Sequence, residues 1–198
     1  MELPLYKLTI NEEGEGVDYV ALTDMPAIER NFQAFNQKQR FQQTDKRVIS
    51  GALMLADTPI YRNDPKMGEY MVVFDRDTIY KIVQKFFKQG ATANVNAYHK
   101  TPIEGVFMFE SYIIDRQRGI NPPKGFEDVP DGSWFGSYKV ENDAVWNEFI
   151  STGKFKGFSV EGMFGMEKVE DAIEVELQAL EKAIDTFLQT FKPSNISK

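Results

Sequence analysis

Apolar residues along the first five sixths of the chain fall into short runs broken by acidic, glycine and proline positions, and only the last sixth carries a long period. Leu5 to Ile10 and Val17 to Leu22 are apolar and β-branched, and Glu12-Glu13-Gly14-Glu15-Gly16 separates them. That is the pattern of two strands around an acidic turn, and a hairpin is expected. Asn31 to Asp45 is rich in Gln and Asn, with isolated Phe32, Phe35 and Phe41 and no sustained period, which predicts a loop or weak helix. Arg47 to Leu55 and Tyr70 to Phe74 predict strands, joined by an irregular loop through Pro59, Asn63-Asp64-Pro65 and Gly68. Behind Asp75 or Asp77, Ile79, Ile82, Val83 and Phe86 recur at helical spacing before Gly90, a helix near 75–89.

Asn94 to His99 and Gly105 to Asp115 predict further strands. From Gln117 to Asp131, Gly119, Pro122-Pro123, Gly125 and Pro130 exclude regular structure, so a long loop is expected, of the kind that often carries function. Ser133 to Val140 predicts a strand, and Asn142 caps a second helix near 142–152 carrying Val145, Trp146, Phe149 and Ile150. Phe155 to Met166 predicts a last, glycine-interrupted strand. From about Lys168 the period changes: Ile173, Leu177, Leu180, Ile184, Phe187 and Phe191 recur by four and three until Pro193, a heptad seam. The pattern is therefore mainly β with flanking helices (α+β), with a domain over residues 1–166 and an amphipathic helix and tail over 167–198. That helix offers a docking or dimerisation face, or else caps the domain.

Composition removes several chemistries. At 198 residues, with 42% hydrophobic residues and 16 Phe, one globular domain with a modest appendage is expected. The 23 Lys+Arg against 30 Asp+Glu give a net charge of -7 with no concentrated basic block, a poor footprint for nucleic acid or an anionic membrane surface. Cys is 0 and His is 1, which excludes disulfides, thiol nucleophiles, cysteine zinc sites and multi-histidine metal centres. No basic segment followed by an apolar stretch opens the chain, and no run approaches the ~20 apolar residues of a membrane span, so a soluble, intracellular protein is expected.

The single histidine, His99, is the side chain best suited to move a proton near neutral pH, and any base-assisted hydroxyl nucleophile would most simply use it. Ser159 is the best nucleophile candidate, in Gly157-Phe158-Ser159-Val160-Glu161-Gly162. Flanking glycines let backbone approach a substrate carbonyl and leave N–H groups to stabilise an oxyanion, although a strand serine between packing glycines would read the same way. The segment is one residue longer than a Gly-x-Ser-x-Gly elbow and continues as strand, which disfavours an α/β-hydrolase. Alternation puts Ser159 with Glu161 on one face and Phe158, Val160 and Phe164 on the other.

A third group must hold the imidazole, usually a carboxylate. Glu110 interrupts the apolar row Val106, Met108, Tyr112 and Ile114, and a carboxylate in such company needs a partner. Asp115 and Glu161 are rivals, and a buried ion pair of Glu110 with Arg62, Arg116 or Arg118 is the alternative to a catalytic role.

Ordered segments then point to a family. Val17-Asp18-Tyr19-Val20-Ala21-Leu22-Thr23-Asp24-Met25-Pro26-Ala27-Ile28-Glu29, Ile49-Ser50-Gly51-Ala52-Leu53-Met54 and Pro59-Ile60-Tyr61-Arg62 come first. His99, Phe109-Glu110-Ser111-Tyr112-Ile113-Ile114-Asp115, Trp134-Phe135-Gly136 and the Ser159 segment follow. Over about residues 5 to 166 this resembles the XkdF-type serine proteases of tailed phages and prophages, prohead (capsid maturation) proteases related in fold to herpesvirus assembly proteases. The resemblance implies a closed or partly open β-barrel with flanking helices, His99 as general base and Ser159 as nucleophile. Glu110 is preferred as third member, with backbone N–H groups near Gly157, Glu161 and Gly162 around the oxyanion. It implies no metal or organic cofactor, and scaffold and major capsid proteins as substrates, with self-cleavage, inside the immature head in a bacterial host. A homo-oligomer through the C-terminal helix is compatible with it. A non-catalytic capsid-assembly or scaffold-binding protein that keeps the fold is the competing expectation.

Overall fold

Side chains that alternate at period two can bury one row only by pairing edge to edge, and this chain does so in short lengths. The computed structural model describes residues 3–11, 13–24, 42–44, 46–169 and 184. Packing divides the chain into two units, Met1–Glu167 and Lys168–Lys198. Of the heptad positions only Ile184 is among the described residues; at the start of the expected helical segment 167–198, Glu167 and Lys168 instead close a short strand, Gly165–Lys168, and residues 170–183 and 185–198 lie outside the described ones.

The strands in chain order are β1 (Leu5–Thr9), β2 (Gly16–Thr23), β3 (Gln42–Thr44), β4 (Val48–Met54), β5 (Ile60–Asp64) and β6 (Gly68–Val73). They continue as β7 (Val95–Ala97), β8 (Thr101–Pro102), β9 (Val106–Ile113), β10 (Trp134–Val140), β11 (Gly157–Met163) and β12 (Gly165–Lys168). Among the described residues these form three four-stranded sheets, ordered β12-β1-β6-β5, β3-β4-β10-β9 and β11-β2-β7-β8. The chain is thus mainly β, but among the described residues no sheet is closed into a barrel. Closure needs a continuous ladder round the sheet, and the edge strand β8 is only two residues long.

The expected hairpin between the first two strands does not form. β1 pairs in parallel with β6, Leu5 opposite Met71, while β2 lies between β11 and β7. The acidic connection, with left-handed Gly14 at φ 101, carries the chain from one sheet to another, and the break at Phe164 between β11 and β12 does the same. A hairpin instead joins β5 to β6, where the proline-containing stretch suggested irregular loop: Asp64 Oδ1 accepts from the N–H groups of Lys66 and Met67 at 2.8 and 3.2 Å and closes the turn.

Helix α1 (Arg76–Lys88) buries Ile79, Ile82 and Phe86, the row read from the sequence. The Phe86 ring meets Trp134 edge-on at 5.1 Å, and Tyr138 lies 5.1 Å from Phe158, so α1, β10 and β11 share one core. Asp75 caps the helix by accepting from the Thr78 N–H at 2.7 Å and pairs with Lys7 of β1. Burial alone would push its carboxyl up, but the hydrogen bonds from Lys7 and Thr78 outweigh that and hold it below the ordinary carboxylate value. A carboxyl lowered on folding stabilises above the unfolded-state value of about 3.9 and stops doing so as pH falls through its folded value. Asp75→Ala is therefore expected to cost about 1–2 kcal/mol at pH 7, a difference that shrinks below about pH 4 as the native carboxyl protonates. Urea midpoints of both forms at pH 7 and pH 3 measure this.

Asn142 Oδ1 accepts from the Val145 N–H at 3.0 Å and starts α2 (Asp143–Val145), which runs directly into a π-helical turn, Trp146–Ile150. The long loop before β10 is tied down. Phe126 and Val129 pack with Ile114 and Phe135, and Arg116 donates to the carbonyls of Glu127 and Val129 at 3.0 and 2.9 Å while pairing with Asp131. Among the described residues, no helix is long and apolar enough to cross a membrane.

Candidate active site

The sheet β11-β2-β7-β8 assembles the site. Ser159 stands opposite Ala21 of β2, and Ala21 stands opposite Asn96 of β7, so one row crosses three strands on one face. Glu161, two residues after Ser159, shares that face as alternation requires. Ser159 is 5% exposed. The ladder is interrupted only after Glu161, where a bulge shifts Gly162 to lie opposite Val17. Among the described residues β11 has a sheet neighbour on one side only, so alternate N–H groups along it point away from β2.

His99 lies past the end of β7, in the turn before β8 rather than in the strand itself. Tyr98 and His99 are both left-handed, at φ 54 and 58, a conformation that costs a non-glycine residue on the order of 1–3 kcal/mol and clusters at functional sites. The turn is held by the Tyr98 N–H to the Leu22 carbonyl at 3.1 Å and by the His99 N–H to Asn96 Oδ1 at 3.1 Å. It brings His99 Nδ1 to 3.3 Å from Glu161 Oε2, a hydrogen bond with the neutral ring and an ion pair with the protonated one. Asn96 Nδ2 donates to the same oxygen at 2.8 Å.

Ser159, His99, Glu161 and Gly162 line one cavity of about 390 Å³, within the usual size of small-ligand sites. Its other walls are apolar, including Leu53, Ile60, Phe74 and Phe164, with Arg62 of β5 as the added cation. Burial pushes the Arg62 guanidinium down from its ordinary value, an effect Tyr70 opposes, and Nη1 donates to the Tyr61 carbonyl at 2.9 Å. Among the described residues, no group of three or more His, Asp or Glu side chains stands where it could hold a metal ion.

Glu110 is not brought to this site. It lies on β9, in the sheet β3-β4-β10-β9, and is exposed. The reason is a bulge. Tyr138 faces Met108 but Ser137 faces Glu110, so Phe109 is an extra residue and the alternation reverses there. Val106 and Met108 stay buried, while Glu110 turns to the face of Ser137 together with Tyr112, opposite to that of Val106 and Met108. Exposed on that face, Glu110 is not in a buried ion pair either: Arg116 pairs with Asp131, Arg118 with Asp115, and Arg62 Nη1 donates to the Tyr61 carbonyl. Asp115 itself accepts from the Arg118 N–H at 3.1 Å and caps a short 3-10 turn. Gly157 sits at the start of β11 opposite Thr23 and is not among the residues lining the cavity.

The carboxylate that meets His99 is thus Glu161, weighed in the sequence as a rival and as an oxyanion neighbour. Two polar residues of the site escape the sequence argument. Arg62 reads from the sequence as a partner for Glu110, and Asn96 carries only one local signal, an Asn three residues before a His in a turn, the side-chain-to-backbone pattern. A sheltered hydroxyl, an imidazole held by a carboxylate and an apolar cavity are the parts of base-assisted acyl transfer. Comparison of the chain with family models, with curated proteins and with solved structures finds no match.

Proposed function

We propose that this protein is a serine endopeptidase of the prohead maturation type, acting through Ser159, His99 and Glu161. The observation that carries the reading is that these three residues line one cavity, with Glu161 Oε2 at 3.3 Å from His99 Nδ1. With Nδ1 facing Glu161, Nε2 is the nitrogen left to take the Ser159 hydroxyl proton as Oγ attacks a peptide carbonyl. The tetrahedral oxyanion would be met by N–H groups of β11 near Glu161 and Gly162, His99 would return the proton to the leaving amine, and water would release the acyl group by the same path. Glu161 replaces Glu110 in the orienting role. The ordered segments from Val17 to Gly162 support the narrower reading: scaffold and capsid proteins as substrates in an immature phage head, and the three sheets as a partly open version of that family's barrel.

The test uses the full chain with a fluorophosphonate, which phosphonylates only an activated serine. Intact mass and peptide mapping are expected to find one adduct, on Ser159, and none on His99→Ala. An adduct elsewhere, or equal labelling of His99→Ala, overturns the assignment.

A further inference from the structure

The residue that joins nucleophile strand, base and carboxylate is one the acyl-transfer scheme does not use. We propose that Asn96 is a positioning residue, which fixes the Glu161 carboxylate and the His99 backbone in register with Ser159. Its functional sense rests on the peptidase reading, while its geometry can be tested apart from it.

Asn96 is 5% exposed, and a buried primary amide is costly unless both of its ends are bonded. Both ends serve this site. Nδ2 donates at 2.8 Å to Glu161 Oε2, the same oxygen that faces His99 Nδ1 at 3.3 Å. Oδ1 accepts at 3.1 Å from the N–H of His99, a residue held in a left-handed conformation at φ 58 that its own preferences disfavour. A carboxylate whose side chain is 43% exposed would otherwise turn freely toward water; the amide restrains the oxygen that has to meet the imidazole.

The register adds a second constraint. Asn96 and Ser159 lie in one row across β2, with the small side chain of Ala21 between them. The strand carrying the hydroxyl and the turn carrying the imidazole are therefore indexed to each other through the backbone. Other residues of similar size do not offer the same pair of bonds. Asp would accept from the His99 N–H but set a second carboxylate against Glu161, and Ala would offer neither bond. Arg62 also lines the cavity, and Lys100 is the next residue of the turn.

Because His is 1 in this chain, ¹⁵N-histidine labelling of the full-length protein yields the spectrum of this imidazole alone. Ring ¹⁵N shifts at pH 8 are compared for the native chain, Asn96→Ala, Asn96→Asp and Glu161→Ala. The native ring is expected chiefly as the Nδ1–H tautomer, and Asn96→Ala is expected to move it toward the spectrum of Glu161→Ala. In peptide hydrolysis Asn96→Ala is expected to lower kcat by about 10²-fold, the scale of a small misplacement of a catalytic group, with KM unchanged. Identical ring spectra for the native chain and Asn96→Ala overturn the inference. If Asn96→Ala loses its fold by circular dichroism, Asn96→Asp, which keeps the volume and the acceptor, decides by the same criterion. A shifted ring without a Ser159 adduct overturns the peptidase and leaves the positioning contact standing; an adduct with an unshifted ring overturns the positioning role alone.

Discussion

Ser159→Ala is expected to lower peptide hydrolysis by about 10⁶-fold, His99→Ala by a similar factor, and the double variant by no more than either alone. Nucleophile and base act as one unit, so once either is gone the other has nothing to do, and the rate that remains comes from binding and from oxyanion donors. Glu161→Gln is expected to cost about 10⁴-fold, because an amide can hold the ring in the wrong tautomer and cannot stabilise imidazolium. Glu110→Gln leaves the rate unchanged, since Glu110 is exposed on β9 and turned to the face of Ser137. The measurement is the rate at which new N-termini appear in a complex peptide library, which requires no knowledge of the cleavage preference. Intact masses of the chain co-expressed with phage scaffold and capsid proteins provide the same contrast in an assembly setting. Equal losses for Glu161→Gln and Glu110→Gln would contradict the assignment of the third residue. Retained hydrolysis in Ser159→Ala would remove the peptidase altogether and favour a non-catalytic assembly role.

The two carboxylates show which parts of the site were legible in the sequence. Ser159 and Glu161 share a face because strict alternation holds between them, and the bulge in β11 falls only after Glu161. Glu110 leaves the face that alternation predicts for it because one extra residue, Phe109, reverses the alternation of β9 in mid-strand, and nothing in Phe109-Glu110-Ser111 announces a bulge. Local signals with a direct physical cause survived folding: the Asp75 and Asn142 caps, the Ile79-Ile82-Phe86 row and the breaker-rich loop. Pairing partners did not, because a short alternating strand carries no record of which neighbour it joins. β1 and β2 looked like a hairpin, yet the parallel partner of β1 is β6, more than fifty residues later in the chain. His99 was legible as chemistry but its carboxylate partner was not, since Glu161 reaches it from 62 residues further along the chain while Asn96 is only 3 residues away.

Gly162→Ala is expected to be among the most destabilising single-methyl changes in this domain, and the cause is backbone against backbone. A Cβ at Gly162 would lie 1.8 Å from the carbonyl oxygen of Gly16, 2.8 Å from its carbon and 3.0 Å from Val17 Cα. None of these atoms can rotate away as a side chain would. The clash is relieved only by opening the β11–β2 ladder at the bulge beside Glu161, where Gly16 stands opposite Met163. Overpacking of this kind costs about 3 kcal/mol or more, a large share of the roughly 5–15 kcal/mol that stabilises a typical domain. For a chain of this length that corresponds to a fall in Tm of about 6–12 °C. The same opening moves Glu161, so hydrolysis is expected to fall together with Tm. Ser159→Ala should behave in the opposite way: its loss of one hydroxyl leaves the ladder intact, so activity vanishes while Tm stays near that of the native chain. Thermal unfolding and hydrolysis measured on both variants therefore separate what β11 does as a strand that must pass close over Gly16 from what it does as the element that carries Ser159, the proposed nucleophile. A Gly162→Ala chain with native Tm would mean that β11 and β2 do not approach each other as described, and the alignment of Ser159, Ala21 and Asn96 would fall with them.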